Sequence, residues 1–211
     1  MGLSSLVGAV TGKQSAPMNL AAVTPPIGLN PHFIKPTPVV LVMAESRMSF
    51  SGDDFTIKDS NGVHVLKCSG RAMSFKDKKD FKDPQNNFLF SLREKTMAIH
   101  KTQLIEDGSG KDLCKLVKKI SIGGSKYIAE FNNLVGDGRP VELKCRGNLL
   151  GGAADILYND RVVVQISRQM LNMREAMGGK QTYYTTVAPG FDVSLAAALT
   201  IAWDEFEHDE K

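Results

Sequence analysis

Near the end of the chain, Pro189-Gly190-Phe191-Asp192 runs into Val193-Ser194-Leu195-Ala196-Ala197-Ala198-Leu199-Thr200-Ile201-Ala202-Trp203. Pro189 and Gly190 interrupt the preceding segment, Asp192 is a favoured N-cap, and the Ala/Leu-rich run that follows favours a helix. At helical spacing this run is apolar on every face, which a surface helix does not tolerate. Eleven helical residues span about 16 Å, about half the hydrocarbon core of a bilayer. A helix apolar all round and too short to cross a membrane belongs inside the protein. Asp192, Leu195, Ala198, Leu199 and Trp203 are therefore expected to form its cap and core contacts.

Upstream of this helix the dominant period is two. Phe55 and Ile57, Val63 and Val65, Phe88, Phe90 and Leu92, and Met97 and Ile99 alternate with polar neighbours. So do Tyr127, Ala129 and Phe131, then Val141, Leu143 and Cys145, then Val162, Val164 and Ile166. Such alternation marks strands with one face on a core and one in water. Asn61-Gly62 and Asn159-Asp160 suit two-residue hairpins, while Asp107-Gly108, Gly136-Asp137-Gly138 and Gly178-Gly179 suit longer loops. The self-neutralising run Lys76-Asp77-Lys78-Lys79-Asp80 reads as a solvated loop. Ten to twelve such strands and one buried helix predict an all-β-dominated fold: a closed barrel plugged by its C-terminal helix.

The 211 residues are 42% hydrophobic and 23% charged, ordinary for a globular chain, which excludes wholesale disorder and fibrous structure. No apolar run is long enough to span a bilayer, so transmembrane insertion is not expected. Residues 1–36 are rich in Gly, Ser, Ala and Pro, with Lys13 and Lys35 as their only Lys, Arg or acidic residues, and read as a flexible N-terminal arm. Residues 37–206 read as the barrel domain and 207–211 as an acidic tail. Asp204, Glu205, Glu207, Asp209 and Glu210 oppose only Lys211, giving residues 204–211 a charge of −4. Residues 37–203 hold 23 basic and 18 acidic residues, or +5, so the overall +3 is a cancellation.

Cys68, Cys114 and Cys145 lack the spacing of a zinc or redox motif and read as buried, reduced thiols. Met1-Gly2-Leu3-Ser4-Ser5-Leu6 misses an N-myristoylation site at Leu6, and no secretory leader grammar is present. A cytoplasmic location is expected, compatible with peripheral membrane association or with the nucleus.

Tyr184-Thr185-Thr186-Val187-Ala188-Pro189-Gly190-Phe191-Asp192, followed by the apolar helix, resembles the closing pattern of the LURP-one-related family. Phe55-Thr56-Ile57-Lys58-Asp59-Ser60-Asn61-Gly62 is similar to that family's first hairpin, and Leu92-Arg93-Glu94-Lys95 to its next strand end. The resemblance covers about residues 37–206. It implies the tubby C-terminal-like fold, a twelve-stranded barrel around a central hydrophobic helix, which is shared with phospholipid scramblases. Tubby-like members bind phosphatidylinositol bisphosphate through Lys and Arg on one side of the barrel. The basic stretch used there looks similar to Leu116-Val117-Lys118-Lys119 through Lys126-Tyr127-Ile128, with fewer cations here and an inserted Ile120-Ser121-Ile122-Gly123-Gly124.

Residues 113–129 carry Lys115, Lys118, Lys119 and Lys126 and no acid; residues 161–174 carry Arg161, Arg168 and Arg174 and no acid. Lys115, Lys118, Lys119, Lys126 and Arg168 are thus candidates for binding an anionic lipid headgroup, such as a phosphoinositide. Four lysines at an anionic membrane contribute about 1 kcal/mol each, enough only for about millimolar binding. A protein partner on the same basic face is the companion expectation. Nucleic acid is disfavoured, because Phe88 and Phe90 alternate like core residues rather than forming a stacking platform.

Catalysis finds no support in the motifs. His32, His64, His100 and His208 have no metal-ligand spacing, so no metal or other cofactor is expected. Gly108-Ser109-Gly110-Lys111 lacks the glycine spacing and Ser/Thr of a phosphate loop and reads as a hairpin turn. The chain is expected to be a non-catalytic binding barrel. The alternative is a scramblase-like or hydrolytic protein acting on lipids, against which stands the acidic, water-seeking end that follows Trp203.

Overall fold

The computed structural model describes residues 20–45, 54–70, 78–121, 124–148, 152–167 and 182–208. Twelve strands follow in order. They are β1 (Val39–Glu45), β2 (Phe55–Asp59), β3 (His64–Gly70), β4 (Lys78–Lys82), β5 (Phe88–Glu94) and β6 (Thr102–Glu106), then β7 (Asp112–Ser121), β8 (Gly124–Asn132), β9 (Pro140–Asn148), β10 (Ala153–Tyr158), β11 (Arg161–Ser167) and β12 (Thr182–Val187). Each pairs antiparallel with its neighbours in sequence, and β1 closes on β12 from Val39↔Val187 to Ala44↔Thr182. Closure leaves no sheet edge to template pairing with another chain.

The helix α1 (Val193–His208) threads this barrel, its 16 residues spanning about 24 Å. Leu195, Ala196, Ala197, Ala198 and Ala202 are wholly buried, and Leu199, Ile201 and Trp203 nearly so. Alanine on several faces lets the surrounding sheet approach closely. Leu41, Met43, Ile57, Leu66, Phe81, Ala129, Leu143, Ile156, Val164 and Ile166 form the inward lining, each wholly buried. Period-two strands around an all-apolar helix produce the architecture expected from the sequence.

The hairpins are less uniform than the dipeptides suggest. Asn159 and Asp160 both take positive φ (48° and 60°) between the paired Tyr158 and Arg161, a true two-residue turn. At Asn61-Gly62 only Gly62 is positive (80°), and the loop runs over residues 60–63. There Asp59 wins the turn: its carboxylate accepts from Asn61 N–H and Val63 N–H, both at 2.9 Å. Asp107 closes the Gly108–Lys111 turn in the same way, accepting from Ser109 and Lys111 N–H.

Several expectations are corrected. The Lys76–Asp80 run is no solvated loop over its described part: Lys78–Lys82 is β4, with Lys79 and Asp80 buried. Asp80 accepts from Ser91 Oγ at 2.7 Å, and Lys79 reaches inward to Glu205 of α1, so each charge has a partner. Val63 is exposed, out of step with the inward Leu66 and Cys68 of β3; Phe88 is exposed although in step with Phe90 and Leu92, because it opens β5 beyond an irregularity in its pairing with β4. Met97 and Ile99 lie on no strand but on the β5–β6 connection.

Both chain ends of the barrel are also more tightly held than composition suggests. From Leu20 onward the expected arm packs on the barrel, with Leu20, Ile27, Leu29 and Phe33 buried. Ile27 bridges to Phe191, and Ile34 to Asp192. Backbone bonds add to these four buried side chains: Leu29 and Asn30 N–H donate to Asp192 Oδ2 at 2.9 and 2.8 Å, and Gly28 N–H donates to Asn133 Oδ1 at 3.0 Å. Gly28 permits this approach, since a Cβ there would lie 2.2 Å from that of Asp192. At the other terminus Asp204 and Glu207 are buried in the last turns of α1, so the acidic segment is helix up to His208.

Candidate functional site

The alternating antiparallel strands sort the connections to two ends of the barrel. The helix-entry end carries Asp192, the docked 20–36 segment, and the turns after β2, β4, β6, β8 and β10. Four of those turns are closed by their own carboxylates: Asp59, Asp83, Asp107 and Asp137 accept from backbone N–H groups within them. The helix-exit end carries the C-terminus of α1 and the β5–β6 connection, residues 95–101.

Acids at a helix C-terminus are unfavourable against the helix dipole. At the exit end, inward-turned strand cations offset this. Glu205 pairs with Lys79 and accepts from Gln103 Nε2 at 2.8 Å; Asp204 accepts from Tyr183 Oη. Lys118 turns into the mouth, its ammonium 5.8 Å from the Tyr127 ring centre, and Tyr127 stacks on Phe206 at 5.4 Å. Burial and the Lys101 ammonium lower the Lys118 pKa, while Glu207 pulls it upward. Lys101 sits 5.9 Å over the Phe206 ring.

At the end of β6, Glu106 accepts from Arg93 and pairs with Lys78 at 3.4 Å. Burial pushes its pKa up, but Arg93 and Lys78 outweigh that and hold it below the usual carboxylate range. A depressed carboxylate contributes stability above its unfolded pKa and loses it as pH falls through the folded one. Glu106→Gln is therefore expected to flatten the acid limb of a melting-temperature profile below about pH 4. An acid limb unchanged by that substitution would remove Glu106 from the acid response.

The β5–β6 connection reads Lys95-Thr96-Met97-Ala98-Ile99-His100-Lys101 and contains no acid. It is tied at its base: Lys95 N–H donates to Thr102 O at 2.8 Å, Thr102 Oγ1 to His100 O at 2.8 Å, and Lys118 N–H to Lys101 O at 3.0 Å. At its tip Met97 and Ile99 are 104% and 97% exposed, with Met97 at φ 63°. Lys95 and His100 are exposed beside them.

The five candidate headgroup residues do not form one set. Lys119 is exposed on the outer face of β7 and pairs in register with Lys126 of β8, next to the 95–101 connection. Lys118 points the other way, into the mouth. Lys115 lies farther along β7, opposite Glu130, which is in turn opposite Glu142. An open groove of about 600 Å³ there is lined by Asp112, Lys115, Glu130 and Glu142, so carboxylates dominate it and an anion is disfavoured. The acid-free count of residues 113–129 missed this because Asp112 and Glu130 lie just outside that window and Glu142 comes from β9. Arg168 lies outside the described residues. The 95–101 connection was missed because its alternation reads as a strand; the signal that distinguishes it is a pair of apolar residues bracketed by cations with no acid.

The remaining chemistry is quiet. Cys68, Cys114 and Cys145 are free and buried, and burial raises all three thiols, Cys114 to about 12. Among the described residues no cluster of His, Cys, Asp and Glu could hold a metal ion, and no helix is long and apolar enough to cross a membrane.

Comparison with known proteins places this architecture. The LURP-one-related family model matches residues 39–204, from the first strand of the barrel to the last turns of its helix. The chain belongs to the LURP-one-related family. It is similar to Protein LURP-one-related 15 of Arabidopsis thaliana, 25% identical over 200 residues, covering 90% of this chain and 91% of that one. It is also similar to the uncharacterized protein YxjI of Bacillus subtilis, 24% identical over 166 residues, covering 79% and 92%. An X-ray structure of an Arabidopsis thaliana protein superposes with a TM-score of 0.57 at 18% identity, covering 84% of this chain and 96% of that one. That likeness concerns the fold. Within this LURP-one-related chain, the Met97–Ile99 tip and the neighbouring Lys95 and Lys119 stand exposed, outside the barrel core.

Proposed function

We propose that this LURP-one-related barrel is a non-catalytic module that docks on anionic phospholipid surfaces through its helix-exit end. One observation carries the reading: the acid-free 95–101 connection gathers Lys95, His100 and Lys101 next to the outward Lys119 and the register position of Lys126. The turns of the opposite end are closed by carboxylates, while Asp204 and Glu205 of α1 at the exit end are engaged by Tyr183, Lys79 and Gln103. The acid-free 95–101 connection is the part of the barrel drawn toward the negative potential of an anionic leaflet before contact.

Lys95 and Lys119, with Lys126 beside Lys119 in register, contribute about 1 kcal/mol each at an anionic surface. In vesicle flotation, the protein is expected to rise with phosphatidylcholine vesicles containing phosphatidylserine and to stay behind with phosphatidylcholine alone. Raising the salt concentration should release it, because charge attraction of this kind is screened. A Lys95→Ala/Lys119→Ala/Lys126→Ala variant is expected to partition roughly 100-fold more weakly, at about 1 kcal/mol for each lysine. Phosphoinositide vesicles matched in total charge separate general attraction from a shaped headgroup site. Equal flotation of wild type and the triple variant would overturn the reading.

A further inference from the structure

We infer that Met97 and Ile99 form an apolar wedge that enters the membrane beneath the headgroups, an inference resting on the membrane-docking reading above. Among the described residues, the other exposed large apolar side chains are Val63, Phe88 and Leu134, all at the helix-entry end. Those three neighbour the carboxylate-closed turns. Met97 and Ile99 alone combine nearly full exposure with flanking cations on both sides.

The exposure is not fraying. Three hydrogen bonds fix the base of the connection to β6 and β7, and Ala98 between the two tips is half-buried, so the loop is held while its tips stand in water. Exposing two large apolar groups in an ordered loop gains the fold nothing, whereas inserting them removes their surface from water. Met97 holds a positive φ of 63°, a conformation uncommon for a non-glycine residue and associated with sites under constraint beyond packing.

The occupant follows from shape and charge. The wedge is convex, two residues wide and rimmed by Lys95, His100 and Lys101. A protein interface of ordinary size needs a broad complementary patch, and two side chains on one loop are far smaller than that. A fluid bilayer closes around a narrow apolar tip, and its anionic headgroups meet the cationic rim. Charge attraction then brings the barrel to the surface, and the wedge holds it there.

The test uses the full chain carrying Ile99→Cys, labelled with an environment-sensitive NBD fluorophore. Cys68, Cys114 and Cys145 are buried with raised pKa values, so the new thiol is labelled selectively. With phosphatidylserine-containing vesicles the NBD emission is expected to rise several-fold and shift to the blue, and with phosphatidylcholine alone to stay unchanged. An unlabelled Met97→Ser/Ile99→Ser variant is expected to keep the wild-type melting temperature and to partition at least tenfold more weakly. Flotation with water-like NBD emission would overturn the wedge, leave surface docking in place and assign the tip to a protein partner. Failure of the wild type to float with any anionic vesicle would overturn the docking reading and the wedge with it.

Discussion

Asp192→Ala is expected to lower the melting temperature by roughly 10–15 °C and to free the 20–36 segment from the barrel. Asp192 is wholly buried and joins two parts of the chain about 160 residues apart. Its Oδ1 caps α1, accepting from Ser194 N–H and Oγ at 2.8 and 2.6 Å and from Leu195 N–H at 3.2 Å. Its Oδ2 accepts from Leu29 and Asn30 N–H. Burial pushes its pKa up, while the Ser194, Asn30, Leu29 and Leu195 bonds pull it down. Losing an N-cap costs about 1 kcal/mol. Leaving the two N–H groups without an acceptor costs about 1–3 kcal/mol each, so with the cap about 5 kcal/mol is a central figure. For a domain of this size each kcal/mol moves the melting point by about 2–4 °C. Asp192→Asn separates the two roles. It keeps one oxygen for the cap but sets an amide against Leu29 and Asn30, so amide exchange at those two residues should accelerate while the helix N-terminus stays protected. A melting point within about 3 °C of wild type for Asp192→Ala would refute the clasp.

The clasp shows why the barrel was legible in sequence and the docked segment was not. Alternation around Ile57, Ala129, Leu143 and Val164 reports burial directly, because a half-buried strand must repeat every two residues. The all-apolar 193–203 run reports its own location for the same reason. The 20–36 segment carries no such period: its docking rests on backbone N–H groups and on acceptors, Asn133 and Asp192, far away in sequence. Composition registers only its Pro, Gly and Ala, which suit a coil that is docked as well as one that is free.

At the candidate site the period itself misled. Alternation does not distinguish a strand facing a core from a tip with both apolar groups in water, so Met97 and Ile99 read as strand residues. Near the exit end the inward parity continues but the core ends. Lys79 and Lys118 therefore occupy inward positions and meet the helix acids, where charge in the sequence suggests outward faces. Lys119 stayed outward as expected, one residue on from Lys118. The site emerged only when β5, β6, β7 and the end of α1 were brought to the same end of the barrel.

Ala197→Asp is expected to abolish the folded barrel. Ala197 is wholly buried in the middle of α1, with Ala196 and Ala198 beside it equally inaccessible. The nearby hydroxyls are already engaged: Thr200 Oγ1 of the helix donates to Ala196 O at 2.8 Å, and Thr185 Oγ1 of β12 donates to Met43 Sδ at 3.4 Å. An aspartate there adds a carboxylate with no cation in reach and extra volume in a packed interior. Isolated charge burial costs several kcal/mol even after relaxation, and overpacking adds about 1–3 kcal/mol. Together these approach the 5–15 kcal/mol total stability of an ordinary domain. The variant should lose its cooperative melt and expose Trp203 to water, seen as a red-shifted emission from the sole tryptophan. Ala197→Ser is the control, because a hydroxyl can donate to the backbone carbonyl four residues earlier as Thr200 does; it should melt cooperatively only a few degrees below wild type. A folded Ala197→Asp barrel with a wild-type melting temperature would mean that the helix is not the plug. With α1 outside the barrel, the exit end, the 95–101 tip and the membrane-docking face assembled on it would have no fixed relation to one another.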